Sequence, residues 1–209
     1  MAPPRRVASK EPAKSKAKRP AKRPAKRPAK SATSGRPKSV TRAKAARSAK
    51  QQFLDSYARE HATTLKVLRA LPQGQSAFRP HERSQSASDL IYTLIVEQEL
   101  TRRALAGGPI FGGGTMPPKP ADFNAGIEQF DRGYAALVGL IKRTPDAKLQ
   151  TTVQFPTAPG QLGQWPVVDF AWYMLLDHIH HRGQFSVYVR MAGGKVPSIY
   201  GPSGDEPWT

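Results

Sequence analysis

The sequence contains no cysteine, which excludes disulfide bonds, thiolate metal ligands and a cysteine nucleophile. Any metal site must therefore use nitrogen and oxygen donors. The sequence also lacks an apolar run of the roughly 20 residues that a bilayer span needs. Its longest apolar stretch, residues 170–176, stops at Asp177. Residues 1–50 lack an apolar h-region, and their prolines prevent an amphipathic transit-type helix, so we expect no export or import signal. We therefore expect a soluble, cytoplasmic protein without a membrane partner.

Acidic residues are nearly absent from the first fifty positions. This segment, called the arm (residues 1–50), holds 18 of the 33 Lys and Arg residues but only one of the 15 acids, Glu11. The remainder, called the domain (residues 51–209), carries 15 bases against 14 acids. Nearly all of the net charge of +18 therefore lies in the arm. A domain of this length buries about two-thirds of its chain surface, so one core is expected.

The arm repeats the motif KRPA three times from Lys18. Proline at every fourth position prevents a helix, so we predict a disordered, extended segment. Lys and Arg spaced along such a segment can contact successive phosphates, and the release of counterions drives binding. No aromatic residue precedes Phe53, so base stacking cannot add sequence preference. The predicted nucleic-acid contacts are Lys18, Arg19, Lys22, Arg23, Lys26, Arg27 and Lys30.

The arm resembles the tails of linker histones and of bacterial nucleoid proteins, which favours nucleic acid as its partner and the nucleoid as its location. A solvated solubility tail, or a leader that adheres to ribosomes, is the alternative. A role at the membrane surface is disfavoured, because no apolar residues are interleaved with the bases.

Two helices are predicted in the first half of the domain. The first ends before Pro72 and Gly74, and its apolar residues recur mainly at spacings of three and four. The second begins after Ser86, which is a suitable N-cap with Asp89 three residues later, and it ends at Gly107. The apolar residues of the first helix are Phe53, Leu54, Tyr57, Leu65, Leu68 and Leu71.

Two further helices follow. The third carries apolar residues from Phe123 to Ile141 and ends near Pro145. Residues 151–155 and 161–165 are short β-like runs that predict either a small hairpin or an ordered loop. The last helix opens at Pro166 and ends at the glycines 193 and 194. Four helices of this length predict an all-α four-helix bundle.

The last helix places polar groups on a face that is otherwise apolar. At 100° per residue, Asp177, His181 and Gln184 fall within about 60° of one line, together with apolar residues above and below. We expect these three side chains to be partly buried. In the second helix Glu97 lies on the stripe of Leu90, Leu94, Thr101 and Leu105.

The candidate metal ligands are Asp177, His181 and Glu97. Asp177 and His181, at i and i+4, can coordinate one divalent ion, and Glu97 or water would complete its coordination shell. The alternative is a satisfied buried polar network in which Asp177 orients the His181 ring. His178 and His180 are predicted on the flank or surface, although His178 with His181 is a possible substitute pair.

A homodimer is also predicted. Leu175 and Ile179 lie opposite the polar stripe, so the last helix is apolar on two sides and can offer one of them to a second copy.

Several segments of the domain resemble the DinB/YfiT-like superfamily. They are DHIHHRGQFSVYVR (177–190), KVPSIYGPSGDE (195–206), FRPHERS (78–84) and TLKVLRALP (64–72). The resemblance covers nearly all of residues 51–209, and HHRGQ is its most specific element. It implies an up-down-down-up bundle, commonly dimeric, that holds a divalent metal with three histidines. It also implies metal-dependent hydrolase or thiol transferase activity in some members, and a damage-inducible role through the family's name.

This chain departs from the implied histidine triad. The later position in the last helix is His181, but the earlier one is Asp177, and residues 91–93 of the second helix include no histidine. Two interpretations remain open. Asp177, His181 and Glu97 form a carboxylate-rich site for zinc, nickel or manganese, or the bundle has lost its metal.

Three functions follow from these features. The first is a DinB-type bundle that the arm tethers to nucleic acid, with its chemistry unassigned. The second is a metal-dependent hydrolase or small-thiol transferase, for which no catalytic nucleophile or base stands out. The third is a non-enzymatic nucleoid protein whose dimer bridges DNA through two arms.

The positive charge of the arm predicts that the protein binds DNA and that its affinity falls steeply as the salt concentration rises. Each phosphate contact releases about one counterion, so the log–log plot of affinity against salt concentration should have a slope of several units. Titrations of the full chain at a series of salt concentrations measure this slope. Equal affinity for the fragment 51–209 would refute the prediction.

Overall fold

The computed structural model of the protein describes residues 47–112 and 114–208. Its elements are α1 (Ala49–Arg69), α2 (Ala87–Ala106), α3 (Phe123–Arg143), α4 (Asp146–Leu149), β1 (Thr152–Ala158), β2 (Gln161–Pro166) and α5 (Val167–Met191). Within the described ranges, none of these helices is both long and apolar enough to cross a bilayer. The predicted disorder of the arm and its seven phosphate contacts lie outside these ranges. Of the arm, the structure describes only residues 47–50, and the last two of these begin α1.

Side-chain caps fix where α1 and α2 begin. Ser48 accepts a hydrogen bond from the backbone N–H of Gln51 at the start of α1. Ser86 accepts one from the N–H of Asp89 at 3.1 Å, so the predicted N-cap of α2 is confirmed. At the other end of α2, Gly107 has φ of 79°, a left-handed conformation that glycine adopts without strain. Local chemistry therefore sets these boundaries.

The four long helices run up, down, down and up. The order of contacts along the chain shows that α1 is parallel to α5 and that α2 is parallel to α3. The contacts between α1 and α3 run in opposite order, so these two helices are antiparallel. The pairs that show this are Phe53–Trp172 and Thr64–His178, Ile91–Gly126 and Gln98–Gly133, and Lys50–Thr144 and His61–Asp131. The helix-dominated architecture therefore agrees with the sequence prediction.

The prediction of a purely helical fold is incomplete. β1 and β2 form an antiparallel hairpin in which Thr152 pairs with Pro166, and the short α4 precedes it. The hairpin forms because its apolar side chains find a surface on α5. Val153 is buried, and the Phe155 ring packs against Phe170 with centroids 5.0 Å apart. Of the two alternatives that the sequence predicted for this region, a hairpin or an ordered loop, the hairpin is therefore present.

A polar layer crosses the middle of the bundle between two apolar clusters. One cluster contains Phe53, Leu105 and Phe170, and the other contains Leu68 and Phe185. Between them lie His61, Thr64, Glu97, Gln98, Thr101, His178 and Arg182, all of which are buried. A buried polar group that lacks a partner costs about 1–3 kcal/mol, so the partners of this layer decide what it does.

Gly133→Ala is predicted to destabilise the protein. An added Cβ would overlap Oε1 of Gln98, whose buried side chain donates to the Phe130 carbonyl oxygen at 3.0 Å. We expect a loss of about 1–3 kcal/mol, measured by urea unfolding. Gly183→Ala is the matched helical control, because an added Cβ there meets no atom within 4 Å. It should gain about 0.5–1 kcal/mol. Equal effects of the two substitutions would contradict the predicted close approach.

Candidate metal centre

Glu97 is a buried carboxylate without a hydrogen bond. The stripe of α2 that packs into the bundle carries it inward, and the residue is only 5% exposed. Neither Oε1 nor Oε2 has a hydrogen-bond partner among the described residues. Burying an unpaired carboxylate is costly, so this side chain needs a proton, a cationic partner or a metal ion.

α5 brings Asp177 and His181 to this carboxylate, as the sequence predicted for these three residues. His181 Nε2 lies 3.2 Å from Glu97 Oε1 and 3.7 Å from Asp177 Oδ1. One donor atom from each residue can be chosen so that all three lie within 4.8 Å of one another. Within residues 47–112 and 114–208, no other such group of three is found.

The three groups strongly influence one another's protonation. Burial raises the pKa of Glu97 to about 7, and His181 opposes this rise while Asp177 adds to it. The Glu97 carboxylate raises the pKa of His181 to about 9, against the opposing effect of burial. At neutral pH, without a metal, His181 is therefore an imidazolium that faces a buried carboxyl group.

This donor set fits a divalent cation. Two carboxylates and one imidazole supply only oxygen and nitrogen, the donors that zinc, nickel and manganese accept. A cation at this position would give the oxygens of Glu97 a partner and would replace the proton on His181. The residues present can therefore hold a metal, although two histidines of the implied triad are absent.

His178 does not belong to this cluster. It was predicted on the flank or surface, or as a substitute ligand beside His181, but it is only 2% exposed. Its Nε2 lies 2.7 Å from Thr64 Oγ1, and burial lowers its pKa to about 3. The surface prediction is wrong, because α5 turns His178 directly into the core. The pairing with Thr64 leaves it on a different face from His181.

The predicted inward line of α5 is displaced by about one residue. Gln184 was expected to be partly buried but is exposed, and Asp177 is half-buried at the edge. The residues that face the core are Phe170, Met174, His178, Arg182, Phe185 and Val189. The helix has apolar residues on several sides, so their spacing alone does not define one axis.

Two polar contacts of buried side chains were missed. His61 is buried, and its Nε2 lies 2.7 Å from Asp131 Oδ1. Arg182 is buried and donates to Glu60 Oε2 at 2.7 Å and to the Tyr200 hydroxyl at 2.6 Å. No local signal in the sequence links Arg182 with Glu60, which lies 122 positions away.

The argument for a dimer face does not hold. Leu175 and Ile179 were expected on an outer apolar side of the last helix. Leu175 is buried in the protein's own core, and Ile179 packs against the same cluster. The homodimer stays a prediction that these two residues no longer support.

A comparison with protein families decides the relationship that the sequence suggested. The sequence model of the DinB family matches residues 42–208. The chain belongs to the DinB family. The resemblance of the domain is therefore confirmed over nearly its whole length.

Solved structures agree with this DinB assignment at the level of the fold. A DinB-like protein from Bacillus subtilis, YjoA, has a TM-score of 0.58 at 16% identity and matches 71% of this chain and 97% of its own. A DinB-like protein from Bacillus cereus ATCC 10987 has a TM-score of 0.57 at 20% identity, over 71% of this chain and 95% of its own.

A curated relative matches part of this DinB chain. The uncharacterized protein YrdA of Bacillus subtilis (strain 168) is 34% identical over 90 residues, which are 43% of this chain. The match spans half the length of that relative.

Metal-free protein is predicted to lose stability between pH 7 and 9. The pKa of His181 is raised from its ordinary value of 6.5 to about 9, so in this window only the native state keeps the proton. Stability falls as pH rises, by at most about 1.4 kcal/mol per pH unit for one proton. Chemical unfolding at a series of pH values in the presence of a chelator measures the slope.

Glu97→Gln is the control for this slope and should flatten it, because it removes the carboxylate that raises the pKa of His181 and cannot itself titrate. The lowered pKa values of His61 and His178 make stability rise with pH, and only below pH 6.5. These two residues therefore do not contribute to the slope between pH 7 and 9. The same slope in the variant and the wild type would contradict the assignment to His181.

Proposed function

We propose that this DinB-family protein binds one divalent cation between Glu97, Asp177 and His181, and that its arm holds it on nucleic acid. The observation that carries the metal proposal is the carboxylate of Glu97, buried without a hydrogen bond beside an imidazole and a second carboxylate. A satisfied polar network would leave no such orphan. A bound cation would therefore give the Glu97 oxygens a ligand where no described side chain forms a hydrogen bond to them.

The donors favour zinc, nickel or manganese. Imidazole nitrogen suits the first two ions, whereas two carboxylates suit manganese as well. Only three protein ligands are proposed, so a position is left for water or substrate. A bound ion of this kind polarises a substrate oxygen or lowers the pKa of a bound water.

A surface groove beside the cluster supports an enzymatic role. It has a volume of about 500 Å³ and is lined by His181, Gln184, Tyr188, Arg83 and Leu90, among others. Its size suits a small substrate, and one wall belongs to a proposed metal ligand. This favours a metal-dependent hydrolase or a small-thiol transferase over a purely DNA-bridging protein.

The nucleic-acid proposal rests on the distribution of charge. The arm carries 18 bases against one acid, whereas the domain is nearly balanced. Phosphate contacts would therefore be made by the arm, at positions such as Lys18 and Arg19. Anchoring and metal binding would then belong to different stretches of the chain, which can be tested separately.

Metal analysis of the purified, tag-free full chain tests the proposed site. After equilibration with zinc, nickel or manganese and removal of free ions, we expect about one ion per chain for the best of the three metals. Glu97→Gln, Asp177→Asn and His181→Gln should each lose it, because each removes a ligand. At a free metal concentration of 100 times Kd, the wild type should gain about 2.7 kcal/mol in stability.

His81→Gln is the matched control, since it removes an exposed histidine outside the cluster and should keep the ion. A wild type that binds no ion would contradict the proposed site. So would retention of the ion by all three ligand variants.

A further inference from the structure

We propose that Gln184 is a positioning residue that holds the His181 ring with Nε2 towards Glu97 and Asp177. This inference rests on the proposed metal site and assigns a role to a residue outside it. Gln184 lies on the exposed side of α5, one turn after His181. Its amide contacts the rings of both His180 and His181, and the chemistry of these contacts fixes their direction.

The first contact selects the proton position on His181. Gln184 Oε1 lies 3.0 Å from His181 Nδ1, and a carbonyl oxygen can only accept. Nδ1 must therefore carry the hydrogen in this contact. A ring with its hydrogen on Nδ1 can offer the lone pair of Nε2, which lies 3.2 Å from Glu97 Oε1, to a cation.

The second contact uses the other end of the amide. Gln184 Nε2 lies 2.9 Å from His180 Nε2 and donates to it when that nitrogen carries no hydrogen. Rotating the amide by 180° would place its N–H group opposite the Nδ1–H of His181, and that hydrogen bond would be lost. The Nδ1–H of His181 therefore keeps the carbonyl oxygen of Gln184 on its own ring.

The same arrangement serves the metal-free and the metal-bound ring. An imidazolium carries hydrogen on both nitrogens, and a ring bound to a cation through Nε2 keeps its hydrogen on Nδ1. In either state the oxygen of Gln184 is the right partner, so the amide does not reorganise when a cation enters. Partners of this kind typically fix the orientation of metal-binding histidines and increase their basicity.

An ordinary surface pair on a helix would have no such consequence. It would add slightly to helix stability and leave metal affinity unchanged. Metal affinity and the state of the His181 Nδ1–H group therefore separate a positioning role from a merely structural one.

The test compares zinc affinity of the full chain and two variants by competition with a chelating dye. Gln184→Leu removes the acceptor and should weaken zinc binding by roughly 10- to 100-fold. Gln184→Glu keeps an acceptor oxygen and should stay within about threefold of the wild type. Circular dichroism checks that the exposed substitutions leave the helices intact.

Nitrogen-15 NMR of the zinc-loaded proteins supplies the second measurement. The Nδ1–H signal of His181 should be protected from exchange in the wild type, lost in Gln184→Leu and restored in Gln184→Glu. Wild type that binds none of zinc, nickel and manganese would remove the proposed site and this inference with it. Zinc binding that is unchanged in Gln184→Leu, or equally weak in Gln184→Glu, would overturn the inference alone.

Discussion

A carboxylate buried without a hydrogen bond is the constraint on which the candidate site depends. Glu97 lies in the polar layer between two apolar clusters, where an unpaired charge is expensive. Without a metal, the cost is reduced by a raised pKa and by the imidazolium of His181. Both compensations are partial, because the contact with His181 is not an aligned hydrogen bond. A divalent cation would satisfy the same oxygens more completely.

The rest of the layer shows what a satisfied network looks like in this bundle. His178 is paired with Thr64, and Arg182 is paired with Glu60. Those groups link α1 to α5 and stabilise the bundle. His61 and Gln98 each leave one atom without a partner, but each makes another hydrogen bond. Within this layer, Glu97 is the buried carboxylate whose two oxygens both lack a hydrogen bond among the described residues.

The sequence predicted features that depend on local chemistry. Ser86 and Gly107 bound α2 as expected, and the i, i+4 spacing of Asp177 and His181 put both on one edge of α5. The sequence-based prediction failed where tertiary packing determines which side chains are buried. α5 is apolar on several sides, so its inward face could not be derived from periodicity, and the burial of His178 was missed. The pairing of Arg182 with Glu60 joins distant positions, which a single sequence does not reveal.

The chain divides into a cationic arm and a DinB domain in which the buried carboxylate of Glu97 defines the proposed site. The central claim is that Glu97, Asp177 and His181 hold a metal. Anomalous X-ray scattering from crystals grown with zinc, nickel or manganese, each in turn, tests this claim most directly. The account predicts a single peak within bonding distance of all three side chains. A map with no peak there, and with ordered water bound to the oxygens of Glu97, would contradict it.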